Sequence, residues 1–491
     1  MLLLLAIACR GPGTPDSPAD SDSLADSSRE SSPDSPPDSP PDSEAPGIEL
    51  ELVSQDFSSF EGLVLQEWRA ADFVGWDDQP ASFLLLRPEG EAELGLALLL
   101  HGSVAMDDGL QPSKCKREDM ELARSRMVEE WQVLPWQGAQ RELAVLAPLN
   151  PWCDLWLGQG EQDPVDTSHR GYEFIELGLD WLEGDQHGLD INGARVVWGT
   201  STGSIGAAQV LARREDFQGA AFDSGPVDFS DSMQEAYLEA VEHVVGSDQE
   251  RRDSLDPVAL AASGQLSGRV LQLGNNQDTV TSPTHLRAME AALASGHEGG
   301  WQSWDLDHPS PSTTFHVQGG LRLMPYPYLS EAALDWLLEG GEVAWLEAED
   351  CGSCSVGTPS STAGWAENAW SGAVQVAEAG EAPGVMARFE LPEHVPDDHP
   401  VQATVLMGLP GEGEVSDLEL IELRWLVDGS PVATRTVNAQ ELATGELDEI
   451  DLHLQASRLG LPAREPGQRA VLEVGFQGGA VVLVDAALLR W

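Results

Sequence analysis

The sequence predicts an α/β fold, a mostly parallel sheet covered by helices, followed by an all-β sandwich. Three observations predict it. Between residues 48 and 340, short apolar runs alternate with amphipathic stretches of helical period. Several of those runs are continuously apolar, as strands buried on both faces are. After residue 363 the helical period disappears, and apolar runs recur between turn residues. A chain of 491 residues is too long for one ordinary core, so two or three domains are expected.

The N-terminus belongs to neither domain. Residues 1–9 are an apolar run closed by Ala6-Ile7-Ala8-Cys9. This resembles a bacterial lipoprotein signal, which implies lipidation of Cys9, an extracytoplasmic location and a lipid anchor to a membrane. The run lacks the basic start of such signals and is short for one. Residues 10–47 are mainly Pro, Asp and Ser, with the short repeat Pro33-Asp34-Ser35-Pro36-Pro37-Asp38-Ser39-Pro40. Such a segment buries too little surface to offset its ordering entropy, and it reads as an extended tether. No other stretch holds the roughly 18 apolar residues of a membrane span.

In the α/β region, residues 48–340, strands are expected at 83–87, 96–100, 143–147, 195–198, 219–222, 270–273 and 302–306. Helices are expected at 118–131, 172–184, 204–214, 231–245, 283–294 and 330–338. Residues 341–362 are rich in Gly, Ser and Cys and read as a linker. Strands of the sandwich, residues 363–491, are expected at 387–391, 403–407, 419–426, 450–454, 470–476 and 480–484.

Composition narrows function. The chain carries 83 acidic against 26 basic residues, a net charge of −57, and lysine occurs only at Lys114 and Lys116. Such a surface repels phosphate, so no nucleic-acid partner is expected. Metal catalysis has no support, since there is no His-Glu-x-x-His and no phosphate-binding Gly loop. No cofactor is expected. Beyond Cys9 there are four cysteines, enough for two disulfides in an oxidising compartment. The preferred pairing is Cys115 with Cys153 and Cys351 with Cys354, one of three that the sequence allows. Cys351-Gly-Ser-Cys354 also has the spacing of a redox pair or half a zinc site, but no thioredoxin-like setting or further ligands accompany it.

The strongest chemical signal is Gly199-Thr200-Ser201-Thr202-Gly203, which follows the strand Arg195–Trp198 and opens a helix near Ser204. A serine on so sharp a turn crowds its neighbours, and Gly199 and Gly203 relieve the crowding because they lack Cβ. The helix N-terminus below it favours developing negative charge.

In this setting residues 50–340 resemble the α/β-hydrolase superfamily. The resemblance implies a Ser, acid, His triad in that chain order, with Ser201 as nucleophile. Leu271-Gln272-Leu273-Gly274-Asn275-Asn276-Gln277-Asp278 looks like the family's penultimate core strand and acid loop, which makes Asp278 the acid. Asp223, after the preceding strand, is the rival. The base is either His308, 30 residues past Asp278, or His316 on a longer loop. The resemblance also implies an oxyanion hole of two backbone donors, Thr202 after the nucleophile and Ser103 in the turn His101-Gly102-Ser103. Residues 150–172, with Trp152, Asp154, Trp156 and His169, and residues 226–268, a small cap, are candidates to shape the pocket. The end of the chain, Val482 to Trp491, resembles the close of a jelly-roll, galactose-binding-like domain, which implies a carbohydrate partner.

The leading expectation is an exported esterase acting on small-molecule or polymer-linked esters. The alternatives are a peptidase of the same fold and an inactive, carbohydrate-binding surface lipoprotein.

Overall fold

A computed structural model describes residues 50–56, 63–75, 80–89, 93–102, 120–121, 124, 142–152, 155–158, 170–184, 189–230, 241–242, 244–246, 248–275, 278, 281–306, 327–348, 354–360, 374–377, 381–392, 395–398, 400–408, 419–438, 454–478 and 482–491. These residues belong to one compact unit, Ile48–Trp491.

The first half of that unit is built on strands β1 (Leu50–Asp56), β2 (Leu63–Val74), β3 (Pro80–Pro88), β4 (Glu93–Leu100), β5 (Leu143–Leu149), β6 (Asp190–Thr200), β7 (Gly219–Asp223), β8 (Arg269–Asn275) and β9 (Trp301–Leu306). They form a nine-stranded sheet in the order β1-β2-β3-β5-β4-β6-β7-β8-β9. Pairing is antiparallel from β1 to β5 along this order and parallel from β5 onward. Helices α1 (Gly171–Glu183), α2 (Gly203–Arg213), α3 (Gln249–Leu255), α4 (Pro257–Ala262), α5 (Pro283–Gly296) and α6 (Pro327–Glu339) intervene. This is an α/β-hydrolase-like sheet.

The central strands form where the sequence is continuously apolar, as in Leu96-Ala97-Leu98-Leu99-Leu100, all buried. They pair in parallel, and from β5 onward a helix in each connection returns the chain to the same end of the sheet. Helix α1 packs on β5 and β6, α2 on β4, β6 and β7, α5 on β8, and α6 on β6 to β8. The core beneath them includes the stacked pair Phe83 and Phe174, 4.0 Å between ring centroids.

Each of the seven strands expected here is present, as are the helices at α1, α2, α5 and α6. Strands β1 and β2 and helices α3 and α4 were not expected. The expected helix at 118–131 lies almost wholly outside the described residues, as does most of that at 231–245.

The second half is all β. A six-stranded sheet contains β11 (Thr358–Ser360), β12 (Val374–Ala377), β19 (Val482–Arg490), β14 (Val401–Gly408) and β17 (Leu454–Leu461), with β10 (Val343–Glu347) on β19. A four-stranded sheet runs β13 (Gly384–Glu390), β18 (Ala470–Phe476), β15 (Glu419–Val427) and β16 (Ser430–Asn438). All pairs are antiparallel. Met386, Phe389, Trp425, Leu472 and Phe476 of the smaller sheet share one core with Val405, Met407, Val484 and Leu489 of the larger. That is a sandwich.

The stretch 341–362, read as a linker, contains two strands of this sandwich. Val343-Ala344-Trp345-Leu346-Glu347 runs along β19 and is no spacer. Strand β16 was also unforeseen. Its neighbour β15 is joined to it by Asp428-Gly429, both at positive φ, a two-residue hairpin turn. At the seam between the halves, Glu342 and Trp491 exchange two backbone hydrogen bonds of 2.9 and 3.1 Å. Arg490 also pairs with Glu339 at the end of α6, at 3.0 Å.

Candidate functional site

Parallel register brings the strand ends to one edge. Leu100 pairs with Gly199, Thr200 with Asp223, Asp223 with Leu273, and Asn275 with Leu306. The turns that follow β4, β6, β7 and β8 therefore emerge side by side, the usual place for a ligand site in such a sheet.

Ser201 sits at the tip of the turn between β6 and α2 with φ of +54°. The left-handed region costs a non-glycine residue about 1–2 kcal/mol, so the surroundings must hold it there. Its N–H donates to the Asp223 carbonyl at 2.8 Å, and its own carbonyl accepts from the Ser204 N–H at 2.9 Å. A Cβ at Gly199 would lie 2.1 Å from the carbonyl oxygen of Gly203, and one at Gly203 would lie 2.1 Å from that of Leu100. Both glycines are thus required by close backbone approach, the crowding the pentapeptide implied. Thr202, the N-cap position of α2, is buried.

Beside this turn lies the end of β4. A Cβ on Gly102 would fall 2.7 Å from Ser201 Cβ and 3.3 Å from Ser201 Oγ, so the backbone at Gly102 runs against the serine side chain. His101 is buried. Its Nδ1 lies 2.7 Å from the Gly102 carbonyl, and its Nε2 accepts the Asn150 N–H at 3.1 Å. An accepting Nε2 places the proton on Nδ1, which donates to Gly102. The Trp156 indole N–H donates to the His101 carbonyl at 3.0 Å, and its ring meets the imidazole edge-on at 5.0 Å. The Trp152 N–H donates to Asn150 Oδ1. The segment after β5 thus grips the His101-Gly102 turn, and it does so with Leu155 and Trp156 both at positive φ. Leu155 and Leu157 then join Ile205, Phe229, Val241, Val244, Val245 and Leu255 in a small separate core. Ile205 belongs to the first turn of α2, so Phe229, Val241, Val244, Val245 and Leu255 pack at the start of that helix.

Two carboxylates stand at the edge. Asp223 is fully buried. Its Oδ2 accepts from Thr200 Oγ1 at 3.2 Å and Trp198 Nε1 at 3.4 Å, and its Oδ1 accepts from Ser224 Oγ at 3.2 Å. Asp278 is 8% exposed and accepts the Thr281 N–H at 3.0 Å. A third carboxylate, Asp256, lies between α3 and α4. It caps α4 through the Val258 and Ala259 N–H groups and also takes the Phe229 N–H. Burial, with Asp228 nearby, pushes its carboxyl up to about 7.

The structure brings together Gly199, Ser201, Thr202, Gly203 and the His101-Gly102 turn. Ser103, His308 and His316 lie outside the described residues, as do Asp154 and His169. So do Cys9, Cys115, Cys153 and Cys351, and no disulfide joins two described residues, so neither expected bridge is established. The Cys354 sulfur lies 2.8 Å from the Met386 carbonyl oxygen. Among the described residues no cluster of His, Cys, Asp and Glu could hold a metal ion, and no helix is long and apolar enough to cross a membrane. Sequence reasoning did not pick out Asn150, Ser224 or Thr281. The one signal for Asn150 is its position as the first polar residue after the apolar run of β5.

No family model matches the chain, and no curated protein does. Among solved structures it is similar to an S-formylglutathione hydrolase from Agrobacterium tumefaciens, at 15% identity over 59% of this chain and 98% of that one, with a TM-score of 0.44. It is similar to an acylaminoacyl peptidase from Pyrococcus horikoshii, at 12% identity over 58% of this chain and 43% of that one, with a TM-score of 0.38. It is also similar to an acetyl xylan esterase from Paenibacillus sp. R4, at 17% identity over 56% of this chain and 87% of that one, with a TM-score of 0.34. The fold assignment rests on strand order and register, not on these likenesses.

Proposed function

We propose that the protein is an exported serine hydrolase that cleaves carboxylic esters, small or polymer-linked, through an acyl-enzyme. The observation that carries this reading is Ser201 at φ +54° between two glycines, with the backbone of Gly102 against its side chain.

In this reading Ser201 Oγ attacks the acyl carbon while His308 or His316 takes its proton. Asp278 orients that imidazole and stabilises the imidazolium. The N–H groups of Thr202 and Ser103 face the oxyanion, each worth a few kcal/mol where charge develops. Collapse expels the alcohol, which takes the proton back, and water repeats the cycle to free the acid. Lipidation at Cys9 and a carbohydrate ligand for the sandwich belong to the same proposal and draw their support from the sequence.

A fluorophosphonate probe tests it. The intact protein is expected to be labelled and Ser201→Ala to be unlabelled, with p-nitrophenyl acetate hydrolysis lost alongside. The histidine variant, at 308 or 316, that also abolishes labelling identifies the base. A folded, intact protein that takes no label refutes the reading.

A further inference from the structure

We infer that Thr281 is a positioning residue that fixes the acid loop to the nucleophile turn through the chain between them. This rests on the hydrolase reading and on Asp278 as its acid. The loop carrying Asp278 leaves β8, whereas Ser201 belongs to the turn after β6, so strand β7 separates them in the sheet. Thr281 spans that gap with both of its polar groups. Its backbone N–H donates to Asp278 Oδ1 at 3.0 Å, and its Oγ1 donates to the Ser224 carbonyl at 3.0 Å.

Ser224 is in turn held in the left-handed region, at φ +52°. Its N–H donates to the Leu273 carbonyl at 2.8 Å, and its Oγ donates to Asp223 Oδ1 at 3.2 Å. Asp223 then accepts the Ser201 N–H on its carbonyl oxygen. The path from Asp278 to Ser201 is therefore continuous, through Thr281, Ser224 and Asp223. All four non-nucleophile members are at most 8% exposed. Water has little access to substitute for a lost link, so each hydrogen bond transmits position.

The same path gives the rival carboxylate a different part. Asp223 has three side-chain donors on its two oxygens and holds the serine turn by its carbonyl. It braces the nucleophile from beneath, and Thr281 delivers that brace to Asp278.

Thr281→Val keeps the shape and the backbone N–H but removes the hydroxyl. With p-nitrophenyl acetate, kcat is expected to fall about fivefold with KM unchanged, the effect of one buried hydrogen bond. The acidic limb of the kcat/KM profile should move to lower pH, because a displaced Asp278 stabilises the imidazolium less. Thr281→Ser should restore both. In an Asp278→Asn background, Thr281→Val should cost nothing further. An unmoved acidic limb, or an equal loss in the Asp278→Asn background, overturns the inference while leaving the hydrolase reading in place. Absence of probe labelling in the folded intact protein overturns both.

Discussion

Ser201 shows how little sequence is needed to state a strained strand-to-helix turn and how much structure is needed to hold it. Its left-handed φ, the two flanking glycines and the helix below follow from five consecutive residues, so they are legible locally. The support is not local. It depends on the register of β6 against β7, which brings the Asp223 carbonyl to the Ser201 N–H. No spacing in the sequence specifies that register. The proposed base stays open between His308 and His316, which each suit the chain order and lie outside the described residues. Asp256 carries a prediction of its own. Its folded carboxyl titrates near 7 against an ordinary 3.8, so between those values the folded chain holds a proton the unfolded chain has lost. Its contribution is present at low pH and is lost as pH rises from about 4 to about 7. Asp256→Asn, which keeps the capping oxygen, should flatten the thermal midpoint across this range. An unchanged slope in the variant would assign the effect elsewhere.

Elements were legible where their period was unmixed. The apolar runs of β4 and β5 and the amphipathic α1 announce themselves. Strand β2, Leu63-Val64-Leu65-Gln66-Glu67-Trp68-Arg69-Ala70, mixes buried and half-buried positions and has no steady alternation. Helices α3 and α4 are seven and six residues long, separated by Asp256 alone, with Pro257 opening α4. That pair reads as a break, yet it is the N-cap and first turn of α4. Strand β10 was hidden by the Gly, Ser and Cys residues around it, and only its partner β19 makes it a strand. Asn150, Trp152 and Trp156 fix the His101-Gly102 turn from outside any helix or strand. Trp156→Phe removes the indole donor to the buried His101 carbonyl. A loss of about 1–2 kcal/mol in stability is expected. A drop in kcat at constant KM should accompany it if the Gly102 backbone shifts. A variant with wild-type melting and kinetics would remove this segment from the account of the site.

At the scale of the molecule, the core beneath the nine-stranded sheet and the core inside the sandwich lie on either side of residue 342. The division was readable from the change of period near residue 363, although the sandwich starts earlier, at Val343. Strand β19 is its keystone, since β10, β12 and β14 all pair with it. A chain ending before Val482 should therefore lose the sandwich as a unit. Limited proteolysis should cut it throughout 343–481 while the region 50–340 resists. Protection equal to that of the full chain would show that the other strands hold without β19.

The paired residues Glu342 and Trp491 have a mechanical consequence. The two ends of the sandwich lie side by side, and β10 and β19 lead away from them together in antiparallel register. Tension drawing those ends apart loads the hydrogen bonds between Val343 and Arg490 first, then Ala344 and Leu489, one pair at a time. A sheet stretched along its strands must break many bonds at once, whereas this one opens like a zip from a single corner. The sandwich should yield to a weak pull long before the parallel sheet does.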